Sequence, residues 1–154
     1  MASTSTADVT ITTDPSRLDL DVIHQFLAGS YWAAGIPRPI VERAIRHSLC
    51  FGAFADDRQV GFARVISDYA TYAYVSDVFV LPSHRGRGIG KRIMAAIVTH
   101  PDLQGLRRWT LATRDAHDLY RQYGFGAPRH PERQMEILAA PYAGAASAPR
   151  PKSG

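Results

Sequence analysis

The chain has 154 residues, is 45% hydrophobic and 21% charged, and carries a formal net charge of +4 at pH 7, which predicts a single soluble globular domain. No run of 18 apolar residues occurs, and the first ten residues lack a basic stretch followed by a hydrophobic one, so we expect neither a membrane span nor a secretory signal, and a cytoplasmic location. The single cysteine, Cys50, excludes an internal disulfide, and the six histidines lack metal-ligand spacing, so no metal site is expected.

The two termini are polar or rich in small residues. Residues 1–7 are small and polar, and the segment 141–154 becomes rich in Ala, Pro and Ser from residue 143 onwards. Neither segment has an apolar period, so both are predicted to be disordered tails around a domain at residues 8–140.

The first predicted elements are a strand and two helices. Val9 to Thr13 alternates as a strand, and Asp14-Pro15-Ser16 offers capping residues for a helix whose apolar face continues to Leu27. A second helix is predicted from about Pro39. The loop between the two helices carries two aromatic residues, Tyr31 and Trp32.

The middle of the chain predicts a hairpin, a further strand and a helix. Leu49–Ala55 and Gln59–Ser67 are strand-like and flank a turn at Asp56-Asp57-Arg58. Tyr72–Leu81 follows as another strand, and an apolar four-residue spacing begins a helix at Ile89.

The remaining elements complete a mixed α/β order. Leu106–Thr113 is predicted as a strand, Ala116–Tyr123 as a short helix and Met135–Leu138 as a last strand. Consecutive strands followed by a crossover imply one mixed sheet flanked by helices.

A basic glycine loop lies between the strand that ends near Pro82 and the helix that begins at Ile89. Its glycines permit close approach of the backbone, and the helix N-terminus leaves N–H groups and a positive dipole end for an anion. Four cationic side chains add to this charge, so a polyanionic ligand is predicted: Arg85, Arg87, Lys91 and Arg92. Much of the net positive charge lies here and in the tail, which favours an anionic cofactor over nucleic acid.

The spacing of this loop fits neither a P-loop nor a dinucleotide fingerprint. What remains is Arg85-x-x-Gly88-x-Gly90, which resembles the acyl-CoA pyrophosphate loop R/Q-x-x-G-x-G/A of the GNAT superfamily of N-acetyltransferases. The segment Ala116–Phe125 resembles the A-x-x-L-Y-x-x-x-G-F segment of the same superfamily. The resemblance covers roughly residues 8 to 140.

The resemblance implies a fold, a cosubstrate and its binding residues. The fold is a mostly antiparallel sheet of six to seven strands, splayed between strands four and five and flanked by about four helices. The cosubstrate is acetyl-CoA, whose pantetheine would pair with strand-four backbone and whose pyrophosphate would lie on the loop. The binding residues so implied are Val78, Phe79, Val80, Arg85, Gly86, Arg87, Gly88, Ile89, Gly90, Lys91 and Asp115, the last standing where many relatives carry Asn.

Two residues are candidates for proton transfer. Tyr120 matches the family tyrosine that protonates the departing thiolate; the alternative is an aromatic that only packs the short helix. A primary ammonium must lose a proton before it attacks, and Asp77 is the candidate base. Asp77 would otherwise hold a cationic substrate or form a salt bridge, for which Arg64 is a candidate partner.

The acceptor amine is expected between the first inter-helix loop and the third and fourth strands. Tyr31 and Trp32 would wall one side, and Asp68, Tyr72 and Tyr74 the other, although each aromatic is equally suited to core packing.

Three functions are open at this point. The first is an acetyl-CoA-dependent N-acetyltransferase that acts on a primary amine of a small molecule or protein. The second is a catalytically silent acyl-CoA-binding sensor. The third, ranked last because aromatics are not interleaved with the basic residues, is a nucleic-acid-binding domain. A homodimer is also open.

Overall fold

The computed structural model describes residues 8–143, so the predicted tail at 1–7 and most of that at 141–154 lie outside the described residues. The described chain divides into two compact units. The sheet unit comprises residues 8–18 and 47–127, and the helical unit comprises residues 19–46 and 128–143.

One five-stranded mixed sheet forms the sheet unit. Its strands are β1 (Val9–Thr12), β2 (Leu49–Ala55), β3 (Arg58–Ser67), β4 (Tyr72–Val80) and β5 (Arg108–Leu111), in the spatial order β1-β2-β3-β4-β5. The first three ladders are antiparallel, and β4 pairs with β5 in parallel. The parallel pair requires a crossover, which contains a helix on one face of the sheet.

Residues 8–143 form four α-helices: α1 (Leu20–Ala28) and α2 (Arg38–Arg46) in the helical unit, and α3 (Ile89–Val98) and α4 (His117–Arg121) in the sheet unit. Asp14 does not begin α1 as predicted, because its carboxylate caps a short 3-10 turn at Pro15–Arg17. Asp19 caps α1 instead, accepting hydrogen bonds from the N–H groups of Asp21 and Val22.

The core of the sheet unit lies between the sheet and α3. The four-residue apolar spacing places Ile89, Ile93 and Ile97 on one side of α3, where each is at most 1% exposed. They pack with Ala73 and Val75 of β4 in one buried cluster. Each such side chain stabilises the fold by about 1.5–3 kcal/mol when it leaves water, so α3 is held firmly against the strands.

A β-bulge interrupts the pairing of β3 with β4. Between the pairs Phe62–Phe79 and Arg64–Ser76, β3 has one residue whereas β4 has two, Asp77 and Val78. The extra residue has a left-handed backbone, with φ of 54° at Asp77.

The bulge changes which β4 side chains face the core. Ala73 and Val75 face it before the bulge, and Val78 and Val80 pack against it afterwards. Phe79 therefore points to the other side of the sheet, where its ring lies 5.7 Å from that of Phe62.

The predicted number of strands, six to seven, is wrong, since the sheet formed by residues 8–143 has five. Met135–Leu138, predicted as the last strand, pairs with no strand among residues 8–143. Its side chains are almost wholly exposed, so the apolar pattern is present without a neighbouring strand to cover it.

The predicted separation of strands four and five agrees with the register. β5 pairs with the first half of β4 only, from Tyr72 to Val75. The second half of β4, beyond Val75, has no β5 partner in the described sheet. The strand backbone at Ser76–Val80 therefore forms no ladder with β5.

Candidate active site

The loop after β4 has a backbone that only glycine adopts easily. Gly86 and Gly88 have φ of 78° and 76°, and Gly88 is the N-cap of α3. A Cβ atom at either position would meet nothing within 4 Å, so the surface above both residues is open. The two glycines therefore expose backbone and the N-terminus of α3 to a ligand.

Cationic residues surround this exposed backbone. Arg87 and Lys91 are exposed. Arg85 anchors the loop, because its Nε donates a 3.0 Å hydrogen bond to the carbonyl of Val80 at the end of β4. Ile89 is buried in the core, which fixes the first turn of α3 to the sheet. The arrangement suits a phosphate-bearing ligand.

The two sequence motifs meet at the first turn of α3. The Tyr123 hydroxyl donates a 2.7 Å hydrogen bond to the carbonyl of Lys91. A Cβ built on Gly90 would lie 3.8 Å from a methyl of Leu119 and 4.0 Å from one of Val80. The segment 116–125 is thus attached to the glycine loop at the first turn of α3.

Tyr120 is 8% exposed and belongs to the buried cluster of the sheet unit. Its ring meets that of Phe125 edge to face, with the centroids 6.2 Å apart. This packing fixes the position of the ring. A fixed ring is consistent with both predicted roles of Tyr120, which are proton donation to the thiolate and packing of the short helix. Asp115 lies at the surface, 73% exposed and 3.8 Å from the Arg114 guanidinium.

The half of β4 that pairs with β3 but not with β5 leads directly into the glycine loop. Val78 and Val80 turn their side chains toward the core, and Phe79 turns its ring to the opposite face. The side chains of all three residues are therefore engaged in packing, and on the side toward β5 their backbone forms no ladder.

Asp77 forms the salt bridge that was one of its three predicted roles. Its carboxylate accepts a 2.8 Å hydrogen bond from Nε of Arg64, and the two side chains are 10% and 17% exposed. Arg64 also donates from Nη1 to the Ser48 hydroxyl at 3.2 Å. The pair spans the bulge, so it stabilises the left-handed backbone at Asp77.

Burial is the largest cause of the raised pKa values of two groups near this pair, the Cys50 thiol and the Tyr74 hydroxyl. Burial raises the pKa of the Cys50 thiol to about 12, with Arg64 lowering and Asp77 raising it to smaller extents. Burial also raises the pKa of Tyr74, and Tyr72 and Asp77 add to that effect. Both groups are consequently neutral at physiological pH.

Asp68 organises its own loop. Its carboxylate accepts hydrogen bonds from the Thr71 hydroxyl and from the N–H groups of Ala70, Thr71 and Tyr72. The hydroxyl and then the amides hold the pKa of Asp68 well below its ordinary value. Tyr72 hydrogen-bonds the Thr110 hydroxyl on β5. Asp68 and Tyr72, two of the five residues predicted to line the acceptor site, thus have partners close by in the sheet unit.

Tyr31 and Trp32 lie in the helical unit. They are 43% and 42% exposed, and their rings meet edge to face with centroids 5.2 Å apart. Trp32 also lies 6.3 Å from the ring of Phe26. Their predicted contact with an acceptor stays a prediction.

Sequence reasoning missed the bulge and the link between Tyr123 and Lys91. One signal for the bulge exists: apolar residues occupy odd positions at 73 and 75 and even positions at 78 and 80, with Asp77 at the break. No local pattern indicates the Tyr123 bond, since its partner is a carbonyl 32 residues away.

Two further properties concern residues 8–143. No group of three or more His, Cys, Asp or Glu side chains there is arranged to hold a metal ion. No helix there is long and apolar enough to cross a membrane.

Comparison with known proteins gives one consistent family. Residues 46–126 match the family model described as an acetyltransferase (GNAT) domain. A Gibberella zeae protein named as an acetyltransferase is 32% identical over 136 residues, which cover 73% of this chain and 76% of that protein.

Similar solved structures indicate the same family. A Xanthomonas campestris protein described as a GNAT-family acetyltransferase is 59% identical, with a TM-score of 0.84 over 85% of this chain and 93% of the other. An acetyltransferase from Clostridium acetobutylicum, described with acetyl-CoA, is 13% identical, with a TM-score of 0.62 over 84% of this chain and 96% of the other. The second likeness is one of fold alone.

Proposed function

The chain belongs to the GNAT family of acetyltransferases, and from that premise we propose that it transfers an acetyl group from acetyl-CoA directly to a primary amine. The observation that carries the proposal is the meeting of the two motifs at the first turn of α3, where Tyr123 is bonded to Lys91 and Leu119 lies beside Gly90.

The glycine loop fits the pyrophosphate of acetyl-CoA. Gly86 and Gly88 leave open space above left-handed backbone, and the N-terminus of α3 points to that space. Arg87 and Lys91 are exposed beside it and supply positive charge. Asp115 is a departure, since an exposed carboxylate replaces the amide common in relatives.

The second half of β4 suits the pantetheine arm. Its backbone lacks a β5 partner beyond Val75, and the arm carries amide groups that pair with strand backbone. In this proposal Val78 to Val80 hold the arm, and an N–H near the bulge, such as that of Val80, stabilises the oxyanion formed during transfer.

Tyr120 is proposed as the general acid. The acceptor nitrogen forms a bond to the acetyl carbon, the carbon–sulfur bond breaks, and the departing thiolate takes a proton from the Tyr120 hydroxyl. The nitrogen releases its extra proton to solvent as the amide forms, and Tyr120 regains its proton from solvent. The ring is held by Phe125 and the core, which keeps the hydroxyl in one orientation.

Asp77 is proposed as a positioning residue rather than the base. Its carboxylate is already paired with Arg64, and the pair spans the bulge that sets the direction of the backbone after it. In this proposal the acceptor loses its proton to water. Tyr74 and Tyr72, on the same face as Arg64, line the acceptor side together with the loop that Asp68 holds.

A thiol-release assay with the full chain tests the proposal. We expect free CoA to form from acetyl-CoA in the presence of at least one amine from a panel of polyamines, amino acids, aminoglycosides and lysine peptides. Cys50 will not consume the thiol reagent, because it is buried with a raised pKa. Binding of acetyl-CoA without release by any amine would favour a sensor, and salt-dependent nucleic-acid binding that CoA does not displace would favour the third function.

A further inference from the structure

The face of the sheet that turns away from α3 carries a row of side chains before the bulge. Val75 points into the buried cluster with α3, so alternation turns Tyr74 and its β3 partner Ile66 to the opposite face. The register places Ile66, Tyr74 and Thr110 side by side on β3, β4 and β5, and we call these three residues the outer row. The row lies three residues before Asp77, or about 10 Å along β4.

The outer row presents apolar and aromatic surface that a ligand can reach. Ile66 is 43% exposed, and Tyr74 and Thr110 are partly exposed. The Tyr72 hydroxyl bonds the Thr110 hydroxyl, whereas Tyr74 forms neither a side-chain hydrogen bond nor a ring contact with any residue in the range 8–143. The Tyr74 ring is therefore available to pack against an apolar group.

The charges of these strands leave no carboxylate for a second ammonium group on the acceptor. Strands β3, β4 and β5 carry one carboxylate, Asp77, and three guanidinium groups, those of Arg58, Arg64 and Arg108. Asp77 is already paired with Arg64 at 2.8 Å. Arg108 is exposed and lies opposite Tyr72 in the ladder of β4 with β5. A second positive charge would therefore meet an exposed guanidinium rather than an acid.

The loop between β3 and β4 adds one further carboxylate, that of Asp68. This carboxylate already accepts hydrogen bonds from the Thr71 hydroxyl and from three N–H groups of its own loop. The loop ends at Tyr72, which lies about 17 Å along β4 from Asp77. Asp68 therefore does not supply the missing acid next to the outer row.

We propose that the acceptor is a monoamine with an apolar body, and that this body lies on the outer row with its amino group toward the bulge. The inference rests on the proposed acetyl transfer and narrows its acceptor. When a diamine binds, the amino group that reacts loses its proton, but the other stays protonated and has no acid to receive it. Polyamines, aminoglycosides and lysine-rich peptides are the poorer acceptors, and Ile66 and Tyr74 are the residues that discriminate against them.

Two acceptors of equal length test the proposal by thiol release with the full chain. We expect kcat/KM for hexylamine to exceed that for hexane-1,6-diamine at least about 10-fold, because only the diamine brings an unpaired ammonium group onto the apolar row. A wild type that uses the diamine as well as hexylamine overturns this inference and leaves the proposed acetyl transfer standing. Absence of thiol release with every amine overturns both.

A substitution at Ile66 tests whether the outer row causes the preference. Ile66→Asp and its matched control Ile66→Asn remove the same exposed side chain, but only Asp supplies a carboxylate beside Tyr74. We expect Ile66→Asp to raise the ratio of kcat/KM for the diamine to that for hexylamine at least about threefold relative to Ile66→Asn. Calorimetric titration should give wild-type affinity for acetyl-CoA in both variants. Equal ratios in the two variants would place the acceptor on another surface and overturn the proposal.

Discussion

The glycine loop and the face of the sheet around Arg64 and Asp77 are built in opposite ways. In the loop, Gly86 and Gly88 offer backbone and a helix N-terminus, with open space above them. On the sheet face, the charged side chains already satisfy one another, as the pair of Arg64 with Asp77 does. A site made of backbone can hold the same ligand in many relatives, whereas a face made of paired side chains is specific to one chain.

The largest expected effect tests whether backbone at the loop binds the donor. Gly88→Glu should weaken acetyl-CoA binding at least about 100-fold, or about 2.7 kcal/mol, because a carboxylate would occupy the pyrophosphate position. Calorimetric titration measures the affinity. Gly105→Glu is a matched control, since Gly105 has the same φ of 76° and the same open space. Equal loss of affinity in both variants would attribute the effect to backbone strain and break the comparison.

The next effect separates chemistry from binding at the junction of the two motifs. Tyr120→Phe should lower kcat by about 100-fold or more, as expected for loss of a general acid, and leave acetyl-CoA affinity unchanged. Steady-state kinetics and calorimetric titration measure the two quantities.

Tyr123→Phe supplies the contrast for Tyr120. It removes the hydroxyl that donates to the Lys91 carbonyl, so it should lower the free energy of unfolding by about 1 kcal/mol while preserving most of kcat. If Tyr120→Phe turned over at the wild-type rate, Tyr120 would have only a packing role.

A third substitution tests whether Asp77 takes a proton from the acceptor amine or only stabilises the fold through its salt bridge with Arg64. Asn tolerates a left-handed backbone, so Asp77→Asn removes the charge without changing φ. Arg64 then loses its carboxylate partner, and the free energy of unfolding should fall by about 2 kcal/mol in a denaturant titration. We expect the pH profile of kcat/KM to keep its shape.

The double variant Arg64→Gln with Asp77→Asn sharpens this result. It removes both charges of the pair, so it should recover part of the lost stability. A loss of turnover by orders of magnitude at unchanged stability, without recovery in the double variant, would assign Asp77 to proton transfer.

The smallest effect concerns the loop that Asp68 holds. Hydrogen bonds from the Thr71 hydroxyl and from nearby amides keep the pKa of Asp68 below its ordinary value of 3.8. Its stabilising contribution is therefore complete above that pH and is lost as the pH falls through the lowered pKa. Asp68→Asn should lower the melting temperature slightly at pH 7, and the difference from wild type should shrink below pH 3.8. A difference that stays constant down to pH 2 would contradict this account.

Much of the fold was predictable from local pattern, because its causes are local. The hairpin follows from strand-like runs on both sides of the turn at Asp56-Asp57-Arg58, and the β2 bounds, Leu49–Ala55, were predicted correctly. The start of α3 at Ile89 follows from the glycine loop and the apolar spacing after it. These features depend on residues within a few positions of one another.

The features that sequence reasoning missed depend on distant partners. Met135–Leu138 has the alternation of a strand, yet a strand also needs a neighbour, which no local pattern supplies. Asp14 and Asp19 are both suitable caps, and only the fold selects Asp19 for α1. On the site, the glycine loop was visible as a motif, whereas the salt bridge of Asp77 joins residues 13 positions apart on two strands and was one of several open roles.

The bulge at Asp77 and Val78 divides β4 into two stretches whose side chains alternate in opposite phase. Odd-numbered residues face the core up to Val75, and even-numbered residues face it from Val78 onwards. A sequence alignment with a strand that lacks the bulge therefore needs a gap here, because without one it compares inward with outward side chains. Closing the bulge while keeping both residues would turn the last three residues over, sending Phe79 toward the core and both valines out, whereas deleting one residue would join the two stretches without turning them over. Redesign of side chains on β4 should therefore treat the residues before the bulge and the residues after it as two separate short strands, and should keep the bulge itself unchanged.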